Sequence, residues 1–365
     1  MVELTAMKPT FSRRDFLKLG AISLAALAFR PVYNYGELLD DENLARVAIS
    51  SISVYSKPDE ESTIKFQRYR DEVLHIYEEV ISDKKPFFNP LWYKVWGGYI
   101  NSAHTQRVTA SLNPINQNLT EGLHPAEITV PYSQSYYKKD NVWTPLYRLY
   151  YETNHWVVGL EEGPDGFPWY RIKDEMFASF DSLDYYVPAQ HVRLIPSEEL
   201  APISPDVPVG QKYVVVSLSQ QNLKAYENGQ VVMNTKISSG LNYHPEGETS
   251  YNTPTGTFFV QNKMFSKHMG DSTLTDSIDD SVYILPGVPW VSFFDPKNGW
   301  GNVPEPKDGV AFHGTYWHTN FGTQMSHGCV NMRTNEAKWL FRWLTPAMKS
   351  GEMSTIGLGT QVFVY

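Results

Sequence analysis

The sequence predicts a mainly β protein: two small barrels, a proline-rich connection and a larger C-terminal β domain with one clear helix. Three observations lead there. Two stretches of the N-terminal half repeat the same short alternating runs, parted by turn residues such as Pro58-Asp59 and Gly163-Pro164-Asp165-Gly166. The C-terminal half opens on β-branched runs joined through Asn228-Gly229, the strongest two-residue hairpin signal. Aromatics are 14 % of the chain, with 23 Tyr and 10 Trp, which suits strands and flat binding surfaces. The 365 residues allow about two or three domains. A hydrophobic fraction of 42 % with 19 % charged residues excludes a disordered chain. Lys and Arg number 31 against 40 Asp and Glu, a net charge of −9. That balance argues against a nucleic-acid partner, because affinity for phosphate backbones comes from clustered cations. Cys329 is the single cysteine, so an internal disulfide is impossible.

At the N-terminus, Ser12-Arg13-Arg14-Asp15-Phe16-Leu17-Lys18 precedes an apolar run and the small-residue site Ala26-Leu27-Ala28. Positive, apolar, then small is the order of an export signal. The apolar run is about 14 residues, short of the roughly 20 that a spanning helix needs. Residues 1–28 resemble the twin-arginine (Tat) signal family. The resemblance implies export of the folded protein after transient contact with the Tat translocon. The protein is then expected at the outer face of the cytoplasmic membrane or in the cell wall. Cleavage of the segment, or its retention as a weak anchor, stays open. No cysteine follows the apolar run, which excludes a lipoprotein anchor.

The first repeat carries Trp92-Tyr93-Lys94-Val95, Gly98-Tyr99-Ile100, His104 and Val108; the second carries Trp169-Tyr170-Arg171-Ile172, Tyr186-Val187-Pro188, His191 and Leu194. Alternation puts Trp and the cation on one face and Tyr and the aliphatic residue on the other, so one face fills a core and one is exposed. The pattern resembles tandem bacterial SH3-like (SH3b) modules at residues 43–110 and 125–196. In that family such modules contact cell-wall polymers; the alternative is a pair of plain spacers. Residues 197–210 form the connection. Pro196, Pro202, Pro205 and Pro208 make it extended and semi-rigid.

The last domain spans 211–365. Strands are expected at 212–218, 222–226, 231–237, 256–260, 309–313 and 359–365. A helix is expected over 335–344, where Ala337, Leu340, Phe341 and Leu344 make one apolar stripe. Thr334 is placed to cap it and Pro346 to stop it.

Outside the cytosol a lone cysteine is either a buried passenger or a reactive thiol. Here Ser326-His327-Gly328-Cys329-Val330-Asn331 surrounds it with a histidine and a glycine and leads toward a helix. Main-chain N–H groups at His327, Gly328 and Cys329 would favour a thiolate and form an oxyanion hole. Gly328 permits close approach of substrate. His313 ends an apolar strand, followed by Gly314, and two adjacent strand ends can bring imidazole to sulfur.

These elements, Ala311-Phe312-His313-Gly314-Thr315 and Ser326-His327-Gly328-Cys329-Val330-Asn331-Met332, resemble the YkuD-type L,D-transpeptidase domain. Thr253-Pro254-Thr255-Gly256-Thr257-Phe258 upstream is similar as well. The resemblance implies a β-sandwich catalytic domain with Cys329 as nucleophile and His313 as base. It places His327, Gly328, Gly314 and Ser326 around the oxyanion or behind the reacting pair. It implies no cofactor and no metal, and acyl transfer between peptidoglycan stem peptides through a thioester to give 3→3 cross-links. Where many members carry Arg two positions after the cysteine, this chain has Asn331, and Arg333 is the candidate to take over a substrate carboxylate. Thr315, Trp317, Asn331, Arg333, Tyr283 and Trp290 are the candidate substrate contacts, with Trp317 first because it lies nearest His313.

Rival readings fit less well. His313, His318, His327 and Cys329 do not follow a zinc-ligand rhythm. A papain-like peptidase has its cysteine before its histidine. Water as acceptor gives an L,D-carboxypeptidase, and a protein amine as acceptor attaches that protein to the wall. A non-catalytic wall-binding protein leaves the Cys–His pair without a purpose. His244 and His268 read as exposed loop histidines.

Overall fold

A computed structural model describes residues 35–39, 41–173, 184–244, 250–270, 284–296 and 309–365. The segment 1–28 and Tyr283 lie outside the described residues. The chain is mainly β, as its patterning predicts, with one α-helix, α1 (Thr334–Trp343), among the described residues. No helix among them is long and apolar enough to cross a membrane.

The first unit contains β1 (Leu44–Val47), β2 (Ser51–Tyr55), β3 (Ile64–Tyr69), β4 (Val73–His75), β5 (Glu78–Ile81), β6 (Leu91–Val95), β7 (Gly98–Asn101) and β8 (Thr105–Val108). They form two antiparallel sheets, ordered β4-β1-β8 and β3-β2-β7-β6-β5. Ala45, Val47, Val54, Tyr93, Val95 and Ile100 meet between them. Alternation along β6 sends Tyr93 and Val95 into this core and leaves Lys94 exposed. Trp92 is buried too, on the opposite face, where Tyr55 packs edge-on at 5.5 Å. Alternation assigns the face correctly, but a large aromatic partner covers what the pattern alone would leave open.

The second unit is one antiparallel sheet. It holds β9 (His124–Ile128), β10 (Tyr132–Lys139), β11 (Val142–Tyr150), β12 (Asn154–Glu162), β13 (Pro168–Lys173), β14 (Tyr185–Pro188) and β15 (Val192–Leu194), in the order β11-β10-β14-β13-β12-β9-β15. Ala126, Ile128, Leu149, Val157, Tyr170 and Val187 form its core. Both units end alike: a single 3₁₀ turn (Ser102–His104 or Ala189–His191) leads into a short strand that pairs with the unit's first strand.

The proline-rich stretch is docked along α1. The Ile203 N–H donates to Arg342 O at 3.0 Å, and Arg342 Nε donates to Ala201 O at 2.8 Å. Leu200 and Ile203 pack on the C-terminal core.

The C-terminal domain contains β16 (Lys212–Ser217), β17 (Asn222–Glu227), β18 (Gln230–Lys236), β19 (Gly256–Gly270), β20 (Ile284–Asp295), β21 (Ala311–Gly314), β22 (Val330–Met332), β23 (Ser354–Ile356) and β24 (Gln361–Val364). The sheet order is β18-β17-β16-β24-β19-β20-β21-β22, with β23 paired to β19. Asn228 and Gly229 both take positive φ, 50° and 77°, as the Asn-Gly hairpin requires. Strand β19 runs ten residues past its expected end at 260. Its polar residues are satisfied from elsewhere. Lys263 Nζ donates to the Phe341 and Leu344 carbonyls at the end of α1, and Ser266 Oγ donates to Asn154 O of the second unit. His268, expected in an exposed loop, is instead buried on this strand with its ring edge-on to Tyr147.

Helix α1 starts one residue earlier than expected, so Thr334 is its first residue and Arg333 the cap, without a side-chain cap bond. Its C-terminal carbonyls are taken by Lys263 and by Lys212, whose Nζ reaches Trp343 O at 3.3 Å. These are cations placed where the helix dipole is negative. Burial brings Lys263 down to about 7, helped by the neighbouring Lys212 charge.

Candidate active site

Strands β21 and β22 run parallel, with Phe312 opposite Val330 and His313 opposite Asn331. Cys329 directly precedes β22, at the strand end beside β21, which carries His313. Cys329 is half-buried against the small apolar cluster of Met264, Val288, Val291, Ala311 and Tyr316, which Trp317 also joins.

The turn before the sulfur is held by four contacts. Ser326 Oγ accepts the Gly328 N–H at 3.2 Å and donates to Cys329 O at 2.5 Å. Thr253 Oγ1 donates to Gly328 O at 2.7 Å and accepts the Gly240 N–H at 2.8 Å. Gly328 sits at φ +125°, a conformation that favours glycine. At Gly240 a Cβ would fall 1.9 Å from Tyr251 O, so only glycine lets the two backbones close on this turn. The segment from Tyr251 to Thr253 thereby supports the Cys329 turn from outside, and Tyr251 also packs edge-on against the His327 ring at 4.1 Å.

His313 is 2 % exposed. Its Nδ1 lies 3.0 Å from Gly314 O. A carbonyl only accepts, so Nδ1 carries the proton and Nε2 keeps its lone pair. Burial lowers His313 to about 4, against the opposing pull of the Gly314 carbonyl. The ring is therefore neutral at pH 7 and free to accept a proton. The Trp317 ring lies 5.7 Å away, tilted by 38°.

Behind this pair His318 is buried, and burial lowers it to about 3 with help from the His104 and His313 charges. Its Nδ1 accepts the Asn320 N–H at 3.2 Å. The proton must then reside on Nε2, 3.0 Å from the Asn331 side-chain amide, and it is the amide oxygen that Nε2–H requires there.

Residues 211–364 match the YkuD family, the L,D-transpeptidase catalytic domain. Among solved structures, an L,D-transpeptidase from Enterococcus faecium is 24 % identical over 42 % of this chain and 50 % of its own, with a TM-score of 0.29. One from Xylanimonas cellulosilytica is 28 % identical over 42 % of this chain and 60 % of its own, TM-score 0.27. One from Mycobacterium smegmatis is 17 % identical over 54 % of this chain and 90 % of its own, TM-score 0.30. The chain spans about half the length of the first of these structures. No curated protein matches it.

Within residues 211–364 the candidate residues separate into two groups. Ser326, Gly328 and Cys329 lie on the turn before β22, His313 and Gly314 on the paired β21, and Trp317 against His313 and the apolar cluster that Cys329 joins. Gly314 passes tightly by the start of α1: a Cβ there would lie 2.8 Å from Pro289 Cγ and 3.1 Å from Thr334 Cα. Thr315 is buried beside them, its N–H on Met332 O, and its hydroxyl has no hydrogen-bond partner among the described residues. His327 is exposed, turned toward Tyr251.

Other expectations need correction. Asn331 is 1 % exposed, with its backbone paired to Ser238 on both sides and its amide on His318, so it braces the C-terminal domain internally and does not face substrate. Trp290 is also 1 % exposed, wedged between Phe265 and Phe341 under α1. Arg333 lies over the Phe321 ring at 4.8 Å and pairs with Glu336. The Gly328 N–H is occupied by Ser326, which removes it from the expected oxyanion donors. Strand β22 separates Cys329 from α1, so the helix N-terminus does not adjoin the sulfur. Sequence reasoning missed Gly240 and His318 as supports of the site, and it quoted Thr253 in the upstream motif without giving it a task.

Proposed function

We propose that the protein is an exported L,D-transpeptidase that joins peptidoglycan stem peptides through a thioester on Cys329. The observation that carries this reading is the neutral His313, its Nδ1 proton fixed by Gly314 O, on the strand paired with β22, which Cys329 directly precedes. In the proposed mechanism the Cys329 thiol passes its proton to His313 Nε2, and the thiolate attacks the carbonyl of the L-centred diamino acid preceding a D-residue. The backbone N–H groups of His327 and Cys329 meet the oxyanion. The C–N bond breaks, and the leaving D-amino acid takes the proton from His313. The side-chain amine of a second stem then attacks the thioester, gives its proton to His313 and releases the thiolate. Trp317 and the Thr315 hydroxyl are proposed to line the donor peptide.

The same reading places the protein outside the cytoplasmic membrane, on the strength of residues 12–28. It assigns the repeated N-terminal units to wall attachment. Support comes from the first unit, which exposes Tyr69, Tyr77, Phe87 and Trp96, the last 68 % accessible, side chains of the type that stacks on glycan rings. Trp96→Ala is expected to weaken binding to insoluble wall sacculi about tenfold, the equivalent of about 1.4 kcal/mol. Co-sedimentation measures this, and unchanged sedimentation would make the units spacers.

The reaction is tested by mass spectrometry of the protein incubated with disaccharide-tetrapeptide. A dimer lacking one D-Ala is expected. A tripeptide alone would replace the reading with an L,D-carboxypeptidase, and unchanged substrate would overturn it in favour of a wall-binding protein.

A further inference from the structure

The backbone that follows His313 is held from outside the YkuD domain. Arg46, at β1 of the first unit, is 1 % exposed. Its Nη2 donates to Tyr316 O and to Gln106 Oε1, each at 2.9 Å, and its Nη1 donates to Asp71 Oδ1 at 2.9 Å. Asp71 also pairs with Arg148 of the second unit. Gln106 Nε2 donates to Tyr151 O at 2.8 Å. The guanidinium lies 4.1 Å over the Tyr150 ring, and Tyr150 stacks on Tyr316 at 5.4 Å. One planar fork thus joins all three units at a single buried point. A second tether lies three residues on, where the Thr319 N–H and Oγ1 donate to Ala103 O and Ser102 O of the first unit at 3.1 and 2.7 Å.

The residues between these tethers and the reacting pair are in contact. Tyr316 packs edge-on against Trp317 at 4.9 Å, Trp317 lies 5.7 Å from His313, and the Gly314 carbonyl sets the His313 tautomer. We infer that Arg46 is a positioning residue for the Cys329–His313 pair: from the first unit it fixes the 314–320 backbone and so seats Trp317 and His313. The inference rests on the proposed roles of those two residues. A buried guanidinium is costly unless its donors are all paired, and here one of those pairs is the Tyr316 carbonyl of the loop itself. Lysine can keep the Asp71 pair, but its point charge cannot serve Asp71, Gln106 and Tyr316 in one plane.

Because Cys329 is the single cysteine, iodoacetamide alkylation of the full chain reads its thiolate alone. The charged and titratable groups around the segment are His313, His318 and His327 of its own domain, Arg46, Asp71 and His104 of the first unit, and Arg148 and Tyr150 of the second. Alkylation rates are measured against pH for the parent, Arg46→Lys and Arg46→Met, beside melting curves and the rate of Cys329 acylation by a carbapenem. In Arg46→Met the alkylation midpoint is expected to rise by about one pH unit and acylation to fall about tenfold. Arg46→Lys is expected to shift both in the same direction by less, and it retains the Asp71 pair, so it decides the matter if the Met variant does not fold. Profiles that superimpose on the parent in a folded variant overturn the inference. A shifted midpoint in a protein that leaves stem peptides untouched upholds Arg46 and overturns only the proposed reaction.

Discussion

On the proposed mechanism Cys329→Ala is expected to remove acyl transfer, lowering the rate by about 10⁴-fold or more, while the melting temperature stays within a few degrees of the parent. The size of the effect follows from the covalent catalysis proposed: without the sulfur no thioester could form, and what would survive is binding alone. The fold survives because nothing that shapes the turn uses the sulfur. Gly328 supplies the positive φ, Ser326 bonds the Gly328 N–H and the Cys329 carbonyl, and Thr253 bonds the Gly328 carbonyl. Losing one half-buried atom costs about 1 kcal/mol. Dimer formation from disaccharide-tetrapeptide and the mass of a carbapenem adduct both measure the outcome. Turnover near the parent level in the variant would remove Cys329 as the nucleophile.

His313→Ala is expected to lower the acylation rate on the order of 10²- to 10⁴-fold if His313 is the base, as proposed. The parent is also expected to have an unusual acid limb. In the proposed mechanism the neutral ring is the base, and burial holds His313 at about 4. The ring therefore stays ready to accept a proton throughout the neutral range, and its contribution is lost only as pH falls through about 4. An ordinary exposed histidine would lose it near 6.5. Carbapenem acylation followed by mass spectrometry at a series of pH values shows which applies. A half-maximal rate at pH 6 to 7 that vanishes in His313→Ala would mean that the ring is solvated when it works, contrary to its burial here.

Much of the architecture is legible in short-range pattern. The Asn228-Gly229 hairpin, the alternation along β6 and the apolar stripe of α1 each depend on neighbours in sequence, and each forms with small shifts at the ends. The stretches that escaped are those whose partners lie far along the chain. Strand β19 looks finished at Val260 because Asn262, Lys263, Ser266 and His268 break its apolar pattern. Two of those residues are satisfied by α1 carbonyls and by Asn154, more than 70 residues away in sequence. Asn331 stands in a motif that suggests substrate, yet its amide is committed to His318. Arg46 reads as an ordinary strand cation, and nothing near it in sequence points to a carbonyl 270 positions downstream. Around the site, glycine and histidine spacing pointed to Cys329 and His313, whereas the residues that steady them are visible only once the three units are packed together.

Strand β24 lies between β16 and β19, where Val362 pairs with Val214 on one side and Phe258 on the other. The domain that begins at Lys212 therefore cannot close its sheet until residues 361–364 have left the ribosome. Until then β16 and β19 each offer an unpaired edge, the kind of surface that recruits other chains.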